Sequence, residues 1–157
     1  MKLSSKIFLG IYIPSIVIII SIVSILIYST FNNELKLESE KNIKEFEVIV
    51  ENLESNIDEE TSYYKLITYY QNHFKKKNIY FEYYSNKEQV FNSGKLNLNN
   101  KDLLNVKENK YNLIIEEHNN KHYVFISYQV DEDILVYKKD IERVYENYQK
   151  NINLSIT

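Results

Sequence analysis

Twenty-seven consecutive residues, Ile7 to Asn33, carry no charge, and that run limits the possible folds more than anything else in the chain. Ile7–Tyr28 alone holds ten isoleucines together with Phe8, Leu9, Val17, Val23 and Leu26. A helix of that length, rising 1.5 Å per residue, crosses a hydrocarbon layer about 30 Å thick. Each central Ile, Leu, Val or Phe favours insertion by roughly 0.3–0.6 kcal/mol, so the sum reaches several kcal/mol. A cleaved signal peptide would have a shorter apolar core, about 7–15 residues, ending at small residues of the A-x-A kind. This run is longer and the sequence has no alanine. The expectation is a retained transmembrane helix over residues 7–29, with residues 1–6 as a cytoplasmic N-terminus and Pro14 placed to kink the span.

Lys2 and Lys6 precede the run without any acidic neighbour, whereas Glu34, Lys36, Glu38, Glu40 and Lys41 follow it. The positive-inside bias then keeps the N-terminus in the cytoplasm and puts the rest outside a cell membrane crossed once. Of 19 basic residues, 17 lie beyond the run against all 22 acidic ones, a net charge of −5 for that part. Such a balance argues against nucleic acid as a partner, which needs a basic face. With no cysteine, disulfides, thiolate catalysis and cysteine-ligated metals are excluded, and the exported fold must rest on its core. Abundant Ile, Asn, Lys and Tyr with no Ala read as the imprint of an AT-rich bacterial genome.

Beyond the span, residues 31–60 have helical periodicity in Phe46, Val50, Leu53 and Ile57, continuous with the membrane segment. Core packing is the first reading of that stripe and a dimer seam the second. Thr61 or Ser62 can cap a second helix with Tyr63, Ile67, Tyr70 and Phe74 on one face, closed by Lys75, Lys76 and Lys77. At Ile79 the period becomes two. "IYFEYYS" puts Ile79, Phe81 and Tyr83 on one face and Tyr80, Glu82 and Tyr84 on the other, a strand that "SNKE" turns into a shorter one, "QVFNSG". Residues 95–110 read as a polar loop with one helical turn around Lys101–Val106. Asn119-Asn120 tolerates the positive φ of a type I′ turn, pairing Ile115 with Val124, Leu113 with Ile126 and Tyr111 with Tyr128. "DED" at 131–133 turns again into a strand, "ILVYKK", and Asp140 is placed to cap a last helix bearing Ile141, Val144, Tyr145, Tyr148 and Ile152. The fold class expected is α+β, with long helices packed on one antiparallel sheet.

Residues that could carry chemistry are few. With two glycines, one of them Gly10 in the apolar run, there is no phosphate-cradling loop, and no nucleophile elbow or metalloprotease helix appears. His118 and His122 flank the hairpin turn, with Glu117 opposite His122. A metal there with Glu116 or Glu117 is conceivable, but exposed polar residues at a hairpin tip are far commoner. His73 reads as a surface residue. The acidic clusters Asp58-Glu59-Glu60, Glu116-Glu117 and Asp131-Glu132-Asp133 read equally as solvated turns or as a field for cations. The fifteen tyrosines could line a pocket or fill a core without alanine. No residue is expected to be catalytic or to hold a metal or other cofactor. A pocket is expected between the sheet face and loop 86–110, with ligand-binding residues unknown.

"ILVYKKDIERVYENYQ" resembles the last strand and exit helix of the extracytoplasmic sensor domain of bacterial two-component sensor histidine kinases. "MKLSSKIFLGIYIPSIVIIISIVSILIYSTFNNEL" likewise resembles the first pass and entry helix of such receptors. The resemblance implies a PAS/Cache-like sensor layout, a sensor domain over 31–150, and residues 151–157 as the start of a second transmembrane helix. It also implies a small-molecule or peptide ligand and a homodimer in the full receptor. The chain departs from the family in lacking the kinase core. His73 has no acidic neighbour or following proline, and nothing matches the glycine-rich ATP-binding domain, so this chain is not expected to be an enzyme. Two alternatives stay open: a self-contained single-pass protein whose outer domain binds a partner protein or envelope component, and a chemoreceptor input domain.

Overall fold

The computed structural model describes residues 3–57, 62–94, 96–97, 101–106, 110–130 and 132–156. Its elements run α1 (Leu3–Glu54), α2 (Tyr63–Lys76), β1 (Ile79–Ser85), β2 (Glu88–Asn92), a 3₁₀ turn (Lys101–Leu104), β3 (Tyr111–His118), β4 (Lys121–Val130), β5 (Asp133–Asp140) and α3 (Glu142–Ile156). The chain divides into two compact units, residues 1–36 with 143–157, and residues 37–142. This is the α+β class expected, with the apolar run and the following segment forming one continuous helix.

In the first unit, α1 is long and apolar enough to span a membrane. Its side chains from Ile11 to Leu26 are exposed. The serine hydroxyls in this stretch are satisfied within the helix. Ser15, Ser21 and Ser24 each donate a 2.8 Å hydrogen bond to the carbonyl four residues earlier, removing the cost of an unpaired hydroxyl in hydrocarbon. Pro14 sits inside the helix. Near the end of the apolar run, Phe31 packs on α3, edge-on to Tyr145 at 5.2 Å and tilted on Tyr148 at 4.4 Å between ring centroids. The stripe Val144, Tyr145, Tyr148 and Ile152 is buried or half-buried while its neighbours on α3 are mostly exposed, as helical spacing requires.

The second unit is a five-stranded antiparallel sheet of order β2-β1-β5-β4-β3. The hairpin register is the one expected, with Ile115 opposite Val124, Leu113 opposite Ile126 and Tyr111 opposite Tyr128. Asn119 and Asn120 take φ of 53° and 60°, the left-handed pair a type I′ turn needs. Asn86 and Lys87 do the same between β1 and β2. One sheet face meets α1 and α2: Phe81 and Tyr137 pack around Phe46, and Phe74 of α2 lies edge-on to Phe81 at 4.9 Å. Tyr111 and Tyr128 stack at 4.7 Å. Most of the tyrosines on this face therefore fill core space that smaller apolar residues would leave open.

Three expectations need correcting. The first helix ends at Glu54 rather than near residue 60, because Ser55 and Asn56 turn their side chains onto the Asn52 carbonyl, at 2.9 and 2.6 Å. Such local bonds compete with helix propagation, and Ile57 is left exposed. On α2, Ser62 is the N-cap, but the buried stripe is Tyr63, Leu66 and Ile67, with Tyr70 exposed. Residues 101–104 form the helical turn expected inside loop 95–110, but it is not a polar one, since Leu103 and Leu104 are buried core. Asp58, Glu59, Glu60, Thr61 and Asp131 lie outside the described residues, as does much of loop 95–110.

Candidate functional site

Alternation along the strands places Glu82, Tyr84, Lys138, Val136, Phe125 and Ser127 on the sheet face turned away from α1 and α2. Read as a two-faced strand, β1 would expose Tyr80, Glu82 and Tyr84, but Glu82 and Lys138 are wholly buried. What covers them is the segment after β2. Leu103 and Leu104 pack with Tyr84, Phe125, Ile134 and Val136, and the Ser127 hydroxyl donates to the Leu103 carbonyl at 2.6 Å. The expected position of a pocket, between the sheet and loop 86–110, is thus largely filled by the chain itself.

At its centre is a closed polar network. Lys138 Nζ spends its three protons on Glu82 Oε1 at 2.9 Å, Asn92 Oδ1 at 2.7 Å and the Leu96 carbonyl at 2.7 Å. The other oxygen of Glu82 accepts from the Tyr84 hydroxyl and from Gln89 Nε2 at 3.0 Å. Burial, with the Glu82 charge behind it, pushes the Tyr84 hydroxyl far above its ordinary range, so Tyr84 keeps its proton and donates. Burial lowers the Lys138 ammonium while Glu82 opposes the shift. A buried charge pair in which each hydrogen-bonding group has a partner fixes conformation and leaves no reactive group free. Asn92 extends the clamp to Leu96 O at 3.1 Å and Asn97 Oδ1 at 2.7 Å. Clefts remain at the two ends of this cover. One, of about 560 Å³, is bounded by Tyr84, Lys87, Asn105, Gln129 and Glu132. The other, of about 660 Å³, is bounded by Lys75, Tyr80, Asn92, Gly94 and Tyr123. Both mix polar and apolar walls.

The histidines at the hairpin are not exposed tip residues. His118 Nε2 lies 2.9 Å from Glu116 Oε2, both largely buried. His122 turns instead to the start of α3. Its Nδ1 lies 2.9 Å from Glu142 Oε2, the same oxygen that accepts its backbone N–H at 2.7 Å, and Glu117 is 4.0 Å from its Nε2. Since Glu117 pairs with His122 and His118 with Lys121, the two rings stand on opposite sheet faces and cannot share an ion. Among the described residues no group of three potential ligands converges. His122 holds the Glu142 carboxyl below its ordinary value through the side-chain hydrogen bond. Asp140, expected to cap the last helix, accepts the Glu142 N–H at 2.8 Å. The Ile141 N–H donates to the His122 carbonyl at 2.9 Å, so Ile141 and Glu142 are tied to β4 as well as to β5. Sequence reading missed Glu142 and Lys138, whose roles depend on partners 20 and 56 residues away.

His73 is exposed, as expected. The chain matches no protein-family model, no curated protein and no solved structure.

Proposed function

We propose that this chain is the signal-sensing input module of a membrane-bound two-component sensor histidine kinase, with a PAS/Cache-like outer domain over 31–150. In this reading the N-terminus is cytoplasmic, the domain is extracytoplasmic, and the receptor works as a homodimer that answers to a small molecule or peptide. The observation that supports it most is where the last helix goes. β5, the central strand of the sheet, runs within two residues into α3, and α3 packs through Tyr145 and Tyr148 on Phe31, at the end of the apolar run. A ligand that binds one setting of the central strand better than another would shift the seat of α3 against α1.

The test is the coding sequence downstream of codon 157. Continuation in frame into about twenty apolar residues, then a histidine in an acidic and proline context and a glycine-rich ATP site, is the expected result. A stop codon directly after Thr157 would overturn the receptor reading and favour a single-pass tethered binding protein.

A further inference from the structure

A different cleft, of about 670 Å³, runs between α1 and α2 down to the start of β1. Its apolar wall includes Val48, Leu53 and Phe74, and its basic residues are Lys44, His73 and Lys77. Glu45, its only carboxylate among the described residues, is already committed, lying 2.6 Å from Lys139 Nζ and 2.9 Å from the Tyr137 hydroxyl. None of Lys44, His73 and Lys77 has an ion pair with a described residue.

Chain direction gathers these basic residues at one end. The Tyr63 hydroxyl donates to Glu54 Oε1 at 3.2 Å, so α2 starts beside the end of α1. Fourteen residues carry it back about 20 Å, bringing its last turn to the Lys44 end of the cleft. The α2 C-terminus contributes about half a negative charge there, less than Lys44 and Lys77 supply, with Lys75 and Lys76 also in that turn. Of the exposed carboxylates of α1, Glu54 is held by the Tyr63 hydroxyl at the opposite end of the cleft from Lys44. In a chain of net charge −3, a cleft that joins lysines without an ion pair to any described residue to an apolar wall suits an amphipathic anion.

We propose that the α1–α2 cleft binds a small amphipathic monocarboxylate, its carboxylate on Lys44 and Lys77 and its apolar body along Val48, Leu53 and Phe74. This holds whether or not the chain belongs to a kinase. Fatty carboxylates and arylalkanoic acids share that chemistry, and separate probes distinguish them.

The experiment is calorimetric titration of the full chain in lipid nanodiscs, with empty nanodiscs as the blank, using octanoate, 3-phenylpropionate and octan-1-ol. At least one acid should bind saturably, the tighter one assigning the source. Lys44→Gln with Lys77→Gln should weaken it by about tenfold or more, the worth of a lost charge-assisted hydrogen bond. Octan-1-ol should bind wild type no better than the acids bind the double variant. Val48→Asp, at a position 54% exposed and so outside the core, should weaken the acid as well and serves if the double variant misfolds. Absence of saturable binding by both acids, affinity unchanged in the variants, or octan-1-ol binding as tightly as the acid would overturn the proposal.

Discussion

Lys138 and Glu82 show how much one pair of residues can decide. Lys138→Met would strand the Glu82 charge in the core, at a cost of about 3–5 kcal/mol, whereas adding Glu82→Leu should restore most of that. Urea unfolding followed by circular dichroism measures both, and equal losses in the single and double variants would show that the pair is not coupled. Two other carboxylates set the response to acid. For Glu45, burial alone would raise the carboxyl, but hydrogen bonds from Lys139 and Tyr137 hold it below its ordinary 4.5. For Glu142, the His122 hydrogen bond does the same. A depressed carboxyl contributes stability that is fully present above the unfolded value and is lost as pH falls through the folded one. The urea midpoint should therefore hold steady from pH 7 to about 5 and fall below about 4.5. Glu45→Gln and Glu142→Gln should each flatten that acid limb, and an unchanged limb in both would assign it to other groups. None of these partners could be found by spacing. Glu82 reads as an outward strand residue until the segment after β2 lies over it.

At the scale of elements, local chemistry was far more legible. The β3–β4 register followed from Asn119-Asn120 and the alternation on either side, because a two-residue turn leaves only one way to pair the strands. Asn119→Val puts a β-branched side chain into left-handed backbone and should cost about 1–2 kcal/mol, read as a lower thermal midpoint. A midpoint equal to wild type would mean the turn relaxes to another type. The helix ends were harder. Leu53 and Ile57 continue the apolar spacing, yet Ser55 and Asn56 bond back to Asn52 and stop α1 at Glu54. The covering role of Leu103 and Leu104 was also hidden, since two leucines among lysines and asparagines have no period to read.

For the molecule as a whole, the apolar run makes membrane retention an expectation that carbonate extraction can check, with the chain staying in the pellet. The lysines before that run predict a further outcome. A periplasmic-type or surface reporter fused after residue 157 should be active and a cytoplasmic one silent, and the reverse pattern would invert the topology. What the sequence by itself determined was whatever depends on neighbours in the chain. This covers the long apolar helix, the strands of period two, the hairpin register and the apolar stripe of α3, because each is written in spacings of two to four residues. Only the tertiary structure decided which strands lie side by side, with β5 at the centre of the sheet. It alone turned His118 and His122 to opposite faces in settings of their own, buried Lys138 on Glu82, and opened the cleft beside Lys44 and Lys77. Those outcomes come from packing residues tens of positions apart, where the free energy lies in desolvation and in partners that no local period encodes.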